Sequence, residues 1–216
     1  MKTLAQNFLS AEEQQRVTDA VRAAEKQTSG EIVPMIVSTS HSYPMAPVVG
    51  GVFVALPLGL LSARLFGASL WLGTDNMWLF IAFFIMYFLI AYQAVARVPQ
   101  LKRCFLSPER ADSAVQASAE AAFFREALYE TRDASGILLY ISVLEQRVWV
   151  LGDRGINEKI DQAAWREIVD MVTRGIKHGR RCDAICGAIE RIGSILQEHF
   201  PYRKDDQDEL HNLIIR

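Results

Sequence analysis

Three carboxylates in this chain stand where a strand is expected to begin or end. Glu31 follows Thr28-Ser29-Gly30 and opens the apolar run Ile32-Val-Pro-Met-Ile-Val37. Asp133 precedes Ala134-Ser-Gly136 and a second run, Ile137 to Val143. Asp153 lies in Gly152-Asp-Arg-Gly155, just past the alternating run Arg147-Val-Trp-Val-Leu151. Loops at strand ends are where open α/β sheets place ligands. Carboxylates gathered there would bind a hard cation, Ca2+ or Mg2+, which takes oxygen ligands. The competing reading is that Asp153 is a turn aspartate and that Asp133 and Glu31 are solvated. The same cluster would suit a metal-held phosphate, but hydrolysis also needs a nucleophile or an activated water. The sequence shows no paired-aspartate phosphatase motif.

His178, Cys182 and Cys186 are spaced four apart, as a soft-metal site on one helix face would require. A structural zinc wants four ligands, and Gly179 interrupts the helix start. Cys182 also continues an apolar stripe, and a free cysteine there behaves as a small hydrophobe. Cys182 is therefore expected in the core. Arg180-Arg181 and the group Arg97, Lys102 and Arg103 would suit anionic headgroups.

The elements that must position these residues can be read from the local pattern. Ser10-Ala-Glu-Glu13 is a capping box, and Val17, Val21 and Ala24 continue a helix to about Lys26. Pro34 lacks an amide donor and predicts an edge position or a strand start. The plan then repeats. Phe105-Leu-Ser-Pro-Glu109 echoes Phe8-Leu-Ser-Ala-Glu12, a helix runs to about Tyr129, and Ser135-Gly136 leads into the next strand. Two equivalent units, side by side in one sheet, are expected. Glu145-Gln146 reads as a tight turn into the strand Arg147–Leu151, and Asn157 reads as the cap of a helix to about Arg174. Its inward face is Ile160, Ala164, Ile168 and Met171. A last helix, about Arg181 to His199, carries the stripe Cys182, Ile185, Ile189, Ile192 and Leu196. Strands flanked by helices on both sides make an α/β sandwich, and residues 202–216 read as a polar, mobile tail.

Two uncharged stretches, Ser42 to Ala63 and Asn76 to Ala96, interrupt this plan. Each can cross a bilayer core as a helix, which takes about 20 residues. Neither stretch carries a charged residue, and two helices enclose no pore, so the hairpin is expected to anchor the chain or dock a membrane protein. Gly50, Gly51 and Gly59 would let the two helices pack closely. Arg97, Lys102, Arg103 and Arg110 follow the second span, whereas the short loop has one arginine and one aspartate. The positive-inside rule then puts both termini in the cytoplasm of a bacterial inner or plasma membrane. Trp71 and Trp78 would sit at the outer interface. A net charge of −2 over 216 residues argues against a nucleic-acid binder. The three cysteines, Cys104, Cys182 and Cys186, fit a reducing compartment. The expected organisation is 1–41, first part of the globular domain; 42–97, the hairpin, with spans at about 45–65 and 77–96; 98–201, the second part; and 202–216, the tail.

Thr28-Ser-Gly-Glu31-Ile, the helix with Phe123-Phe124, Gly136-Ile-Leu-Leu-Tyr-Ile-Ser142, Arg147 to Ile156 and the Gly187 to Phe200 helix together resemble the TPM domain family. The similarity spans roughly residues 1–40 and 105–200. The resemblance implies an α/β/α sandwich, often membrane-linked. Some members bind calcium, an acid phosphatase activity has been proposed for a plant member, and others are non-catalytic assembly or auxiliary factors. Here a two-helix transmembrane hairpin interrupts the domain, whereas many members begin with a signal peptide and end in a membrane helix. The expected function is a membrane-anchored binding or assembly module for membrane complexes, holding a divalent cation through Glu31, Asp133 and Asp153. Its expected partners are the bilayer, a membrane protein and a second copy of itself. The alternative is a metal-dependent phosphatase tethered to the membrane.

Overall fold

The computed structural model describes residues 3–69, 71, 73, 76–131, 134–202 and 211–216. Its internal contacts divide the chain into two compact units, Met1–His41 with Asp112–Arg216, and Ser42–Ala111.

The first unit is an α/β/α sandwich. Its elements are α1 (Ala11–Glu25), β1 (Glu31–Val37), most of α5 (Pro108–Arg125), β2 (Gly136–Ser142), β3 (Arg147–Gly152), α6 (Arg154–Asn157), α7 (Gln162–Lys177), α8 (Arg181–His199) and β4 (Ile214–Ile215). The four strands lie in the order β3-β2-β1-β4. β1 pairs parallel with β2 over seven positions, from Glu31↔Gly136 to Val37↔Ser142. The repeated helix, Ser-Gly, strand plan therefore forms neighbouring parallel strands. The Ser135 hydroxyl donates to Ser29 O at 3.0 Å across the two junctions. β3 turns back antiparallel, Ser142 opposite Arg147, through residues 143–146, and Gln146 takes the left-handed conformation at φ 53°.

Strand alternation sorts the core into two layers. Ile32, Ile36, Ile137, Leu139 and Ile141 face α1, α7 and α8, meeting Val17, Val21, Ile168, Val172, Ile185, Ile189, Ile192 and Leu196. Val33, Met35, Val37, Leu138 and Tyr140 face α5 and meet Val115, Ala119, Ala122 and Phe123. Burying both faces explains why β1 and β2 read as continuous apolar runs. The Ser10–Glu13 capping box forms, with both reciprocal bonds.

Four expectations are corrected. The reading of residues 202–216 as a mobile tail fails at its end, because Met35↔Ile214 and Ile36↔Ile215 add a fourth strand to the sheet. Its alternation of Leu213, Ile214 and Ile215 is too short to stand out in sequence, and only the waiting edge of β1 makes it a strand. Asn157 does not cap α7; Asp161 does, accepting from the Ala163 amide at 3.1 Å. Asn157 instead closes the short α6, its Nδ2 donating to Gly152 O at 2.6 Å. The α7 face is also rotated, with Trp165, Ile168, Val172 and Gly175 buried. Finally, α5 ends at Arg125 rather than near Tyr129. Ala127 takes φ 56°, and a 3-10 turn spans Leu128–Glu130.

Pro34 illustrates local sequence meeting topology. The Glu31 amide donates to Ser135 O and the Val143 amide to Val37 O, so odd-numbered β1 residues bond to β2. Even-numbered positions face the β4 side, where the Arg216 amide donates to Ile36 O. Pro34 points its missing donor to that side, just before the β4 pairing begins at Met35.

The second unit contains α2 (Met45–Ser69), α3 (Met77–Arg97) and α4 (Pro99–Cys104). α2 and α3 are both long and apolar enough to cross a membrane. The buried side of α2 is small: Gly51, Ala55, Gly59, Ala63 and Gly67. A Cβ on Gly51 would meet the Phe88 ring at 2.8 Å, and one on Gly59 would meet the Phe84 backbone at 3.3 Å. Large side chains on α3 thus settle onto glycines on α2, as close helix packing requires. Ser62 and Tyr87 satisfy each other through a 2.9 Å hydroxyl contact.

Candidate functional site

At the amino end of the parallel pair, two of the three nominated carboxylates fall on one row. Glu31 begins β1, Gly136 is its partner on β2, and Asp153 follows β3 with its amide donating to Gly136 O at 2.9 Å. Two interstrand steps, about 10 Å, therefore separate the Glu31 and Asp153 backbones. Gly136 between them carries no side chain because there is no room for one. A Cβ there would stand 2.3 Å from the carbonyl oxygen of Leu128 in the 3-10 turn. The row thus presents a buried glutamate, a backbone carbonyl and an aspartate.

The surroundings hold this end rigidly. Thr28 Oγ1 donates to Phe200 O at 2.6 Å, the Ser135 amide donates to Thr131 Oγ1 at 3.0 Å, and the Ile32 amide donates to Glu25 Oε1 at 3.0 Å. Glu31 is 6% exposed. Asp153 uses one oxygen to cap α6, accepting from the Arg154 amide at 2.6 Å. Its other oxygen, Oδ2, is buried without a hydrogen-bond partner among the described residues. A buried carboxylate oxygen left without a donor is what a cation would satisfy, and all the candidate donors are oxygens, so the residues fit a hard ion. Asp133 lies outside the described residues, and among the described residues no group of three or more His, Cys, Asp and Glu is arranged to hold a metal. Glu31 and Asp153 share a row; they do not by themselves complete a site.

The carboxyl end of the same strands holds a polar cluster that sequence reasoning missed. Glu145, 4% exposed, accepts from Thr39 Oγ1 at 3.2 Å and from the Ser40 amide at 2.9 Å. Its second oxygen accepts a short bond from Ser142 Oγ. Ser40 Oγ donates to Ser142 Oγ at 3.0 Å and lies 3.2 Å from Tyr140 Oη. Ser118 on α5 donates to Ser40 O at 2.9 Å. Burial raises the Tyr140 phenol above its ordinary pKa, and the Glu145 charge adds to the rise. The signal was present in the run Ser38-Thr39-Ser40 after β1 and in Glu145, an acidic residue between two apolar strands. Every donor aimed at Glu145 is paired, so this cluster is a strut.

The soft-metal alternative dissolves into packing. His178 ends α7, its Nδ1 2.7 Å from Arg174 O, and Gly179 at φ +75° turns the chain before α8 starts. Cys182 and Cys186 stand 3.9 Å apart, with Cys182 in the core. Burial first, and then Cys182, pushes the Cys186 thiol up to about 11.

Fold and site thus define an α/β/α module with a mixed four-stranded sheet and oxygen donors at one sheet end. Residues 95–195 match the family model described as the TPM domain. The match begins in the last turn of α3 and so omits β1, which the fold nonetheless pairs with the matched part. The chain is also similar in structure to the BA42 protein from the psychrophilic bacterium Bizionia argentinensis, solved by NMR. There the TM-score is 0.59 and identity 23%, over 96% of this chain and 94% of that one. That likeness concerns the fold. A comparison with curated proteins found no match.

Proposed function

We propose that the chain is a two-span membrane protein, both termini cytoplasmic, whose TPM module serves as a binding or assembly unit for membrane complexes. The observation carrying this reading is the outer surface of the helix pair. Phe53 is 72% exposed, Leu65 62%, Ile85 52%, Leu89 57% and Ile90 61%. Apolar surface on this scale marks contact with lipid or protein, and a helix is the form that bonds its backbone groups internally in lipid. Sodium carbonate extraction of membranes should leave the full chain in the pellet; release into the supernatant would sink the anchor. A reporter fused after Arg216 should be active only in its cytoplasmic form.

Within the module, Glu31 and Asp153, with Asp133, are the residues that would hold Ca2+ or Mg2+, with Leu128 O beside them. The buried, unpartnered Asp153 Oδ2 supports this assignment. Titration calorimetry on the purified protein in detergent should show saturable cation binding that Asp153→Asn abolishes. Absence of binding to the unmodified chain would leave a protein-interaction module without a cation.

A further inference from the structure

We propose that β4 is a detachable strap whose docking shapes a pocket beside the sheet. The pocket, about 430 Å³, is walled by Val33 of β1, by Arg125, Glu130 and Thr131 around the 3-10 turn, and by His211 and Ile214 next to and within β4. One wall therefore exists only while the strap is seated.

The strap is held lightly. Its ladder has two pairs, against seven on the β2 side of the same strand. Leu213 and Ile215 pack against the α1, α7 and α8 layer, and Ile214 packs against the α5 layer, yet all three remain only partly buried. Two backbone bonds extend the attachment: the Arg216 amide to Ile36 O at 2.9 Å and the Ser38 amide to Arg216 O at 2.8 Å. An element with a short ladder and few buried contacts opens at low free energy. Among the described residues, an ion pair ties it to the pocket's other wall. Arg216, 49% exposed, reaches Glu126 at 3.0 Å, and Glu126 sits between the end of α5 and the 3-10 turn, sharing the same oxygen with Arg125 at 3.1 Å. Strap and turn are thus linked, and linkage is reciprocal: whatever stabilises the turn seats the strap, and release of the strap loosens the turn. Release also bares the β1 edge at Ile36 and Ser38, where an extended chain could add.

Hydrogen exchange on the full chain in detergent tests this. The Ser38 and Arg216 amides should exchange about 100-fold faster than the Val143 amide, which bonds to Val37 O on the other side of β1. Arg216→Ala, a change at a half-exposed side chain, should speed both Ser38 and the amides of residues 126–131, and Ile215→Asp should do so more strongly. Two results would overturn the proposal: Ser38 exchanging as slowly as Val143, or either variant freeing Ser38 while residues 126–131 keep their wild-type rates.

Discussion

The two ends of the β1–β2 pair carry carboxylates in opposite circumstances. At the carboxyl end, Glu145 is enclosed by donors from Thr39, Ser40 and Ser142. At the amino end, Asp153 keeps one buried oxygen without a donor, and a backbone carbonyl rather than an amide faces the gap at Gly136. A carboxylate whose lone pairs are filled by the fold holds the fold together. One that keeps a buried oxygen without a donor has stability to gain from a cation. The general rule for open α/β sheets would favour the carboxyl end for ligands. Here that end is closed by hydrogen bonds, and the open oxygens lie at the other.

The sharpest way to break this contrast is Glu145→Ala. It strands the Ser142 hydroxyl and the Ser40 amide, and should cost about 3 kcal/mol, read as a lowered urea midpoint in detergent. A wild-type midpoint would mean that the carboxyl end is no strut. Gly136→Ala comes next. Its Cβ must displace the Leu128 carbonyl, an overpacking expected to cost about 2 kcal/mol and to weaken cation binding as well. Asp153→Asn should barely move stability, within about 0.5 kcal/mol, since asparagine also caps a helix. Its effect belongs to calorimetry, where cation affinity should fall more than tenfold; a loss of stability matching Glu145→Ala would erase the difference between the ends.

The smallest effect concerns the thiols. Cys186 is raised from 9.0 to about 11, so the native state favours the neutral thiol. That contribution is whole below pH 9 and is lost as pH climbs through about 11. At neutral pH iodoacetamide should label the exposed Cys104 faster than the half-buried Cys186 and spare the buried Cys182. Prompt labelling of Cys186 would show that α8 is not packed on α1 as described.

Much of the fold was legible because its signals are local. The capping box at Ser10, the stripe on α8 and the alternation of Arg147–Leu151 each lie within one element. The apolar stretches were legible for the same reason, since length and hydropathy alone define them. Asp161 lost to Asn157 in the reading because both are good caps a few residues apart, and only the actual turn of α6 decides between them.

By itself, then, the sequence determined the elements, their buried faces and the strand junctions at which Glu31 and Asp153 stand, because burial periodicity and capping act over a few residues. The tertiary structure alone decided which strand ends became neighbours. It set Asp153 opposite Gly136, closed Glu145 under the Thr39 hydroxyl and the Ser40 amide from about a hundred positions away, and recruited Ile214 and Ile215 to β1. Those outcomes depend on pairing between distant segments, and no local pattern of residues encodes which edge of a sheet will be left for another strand to fill.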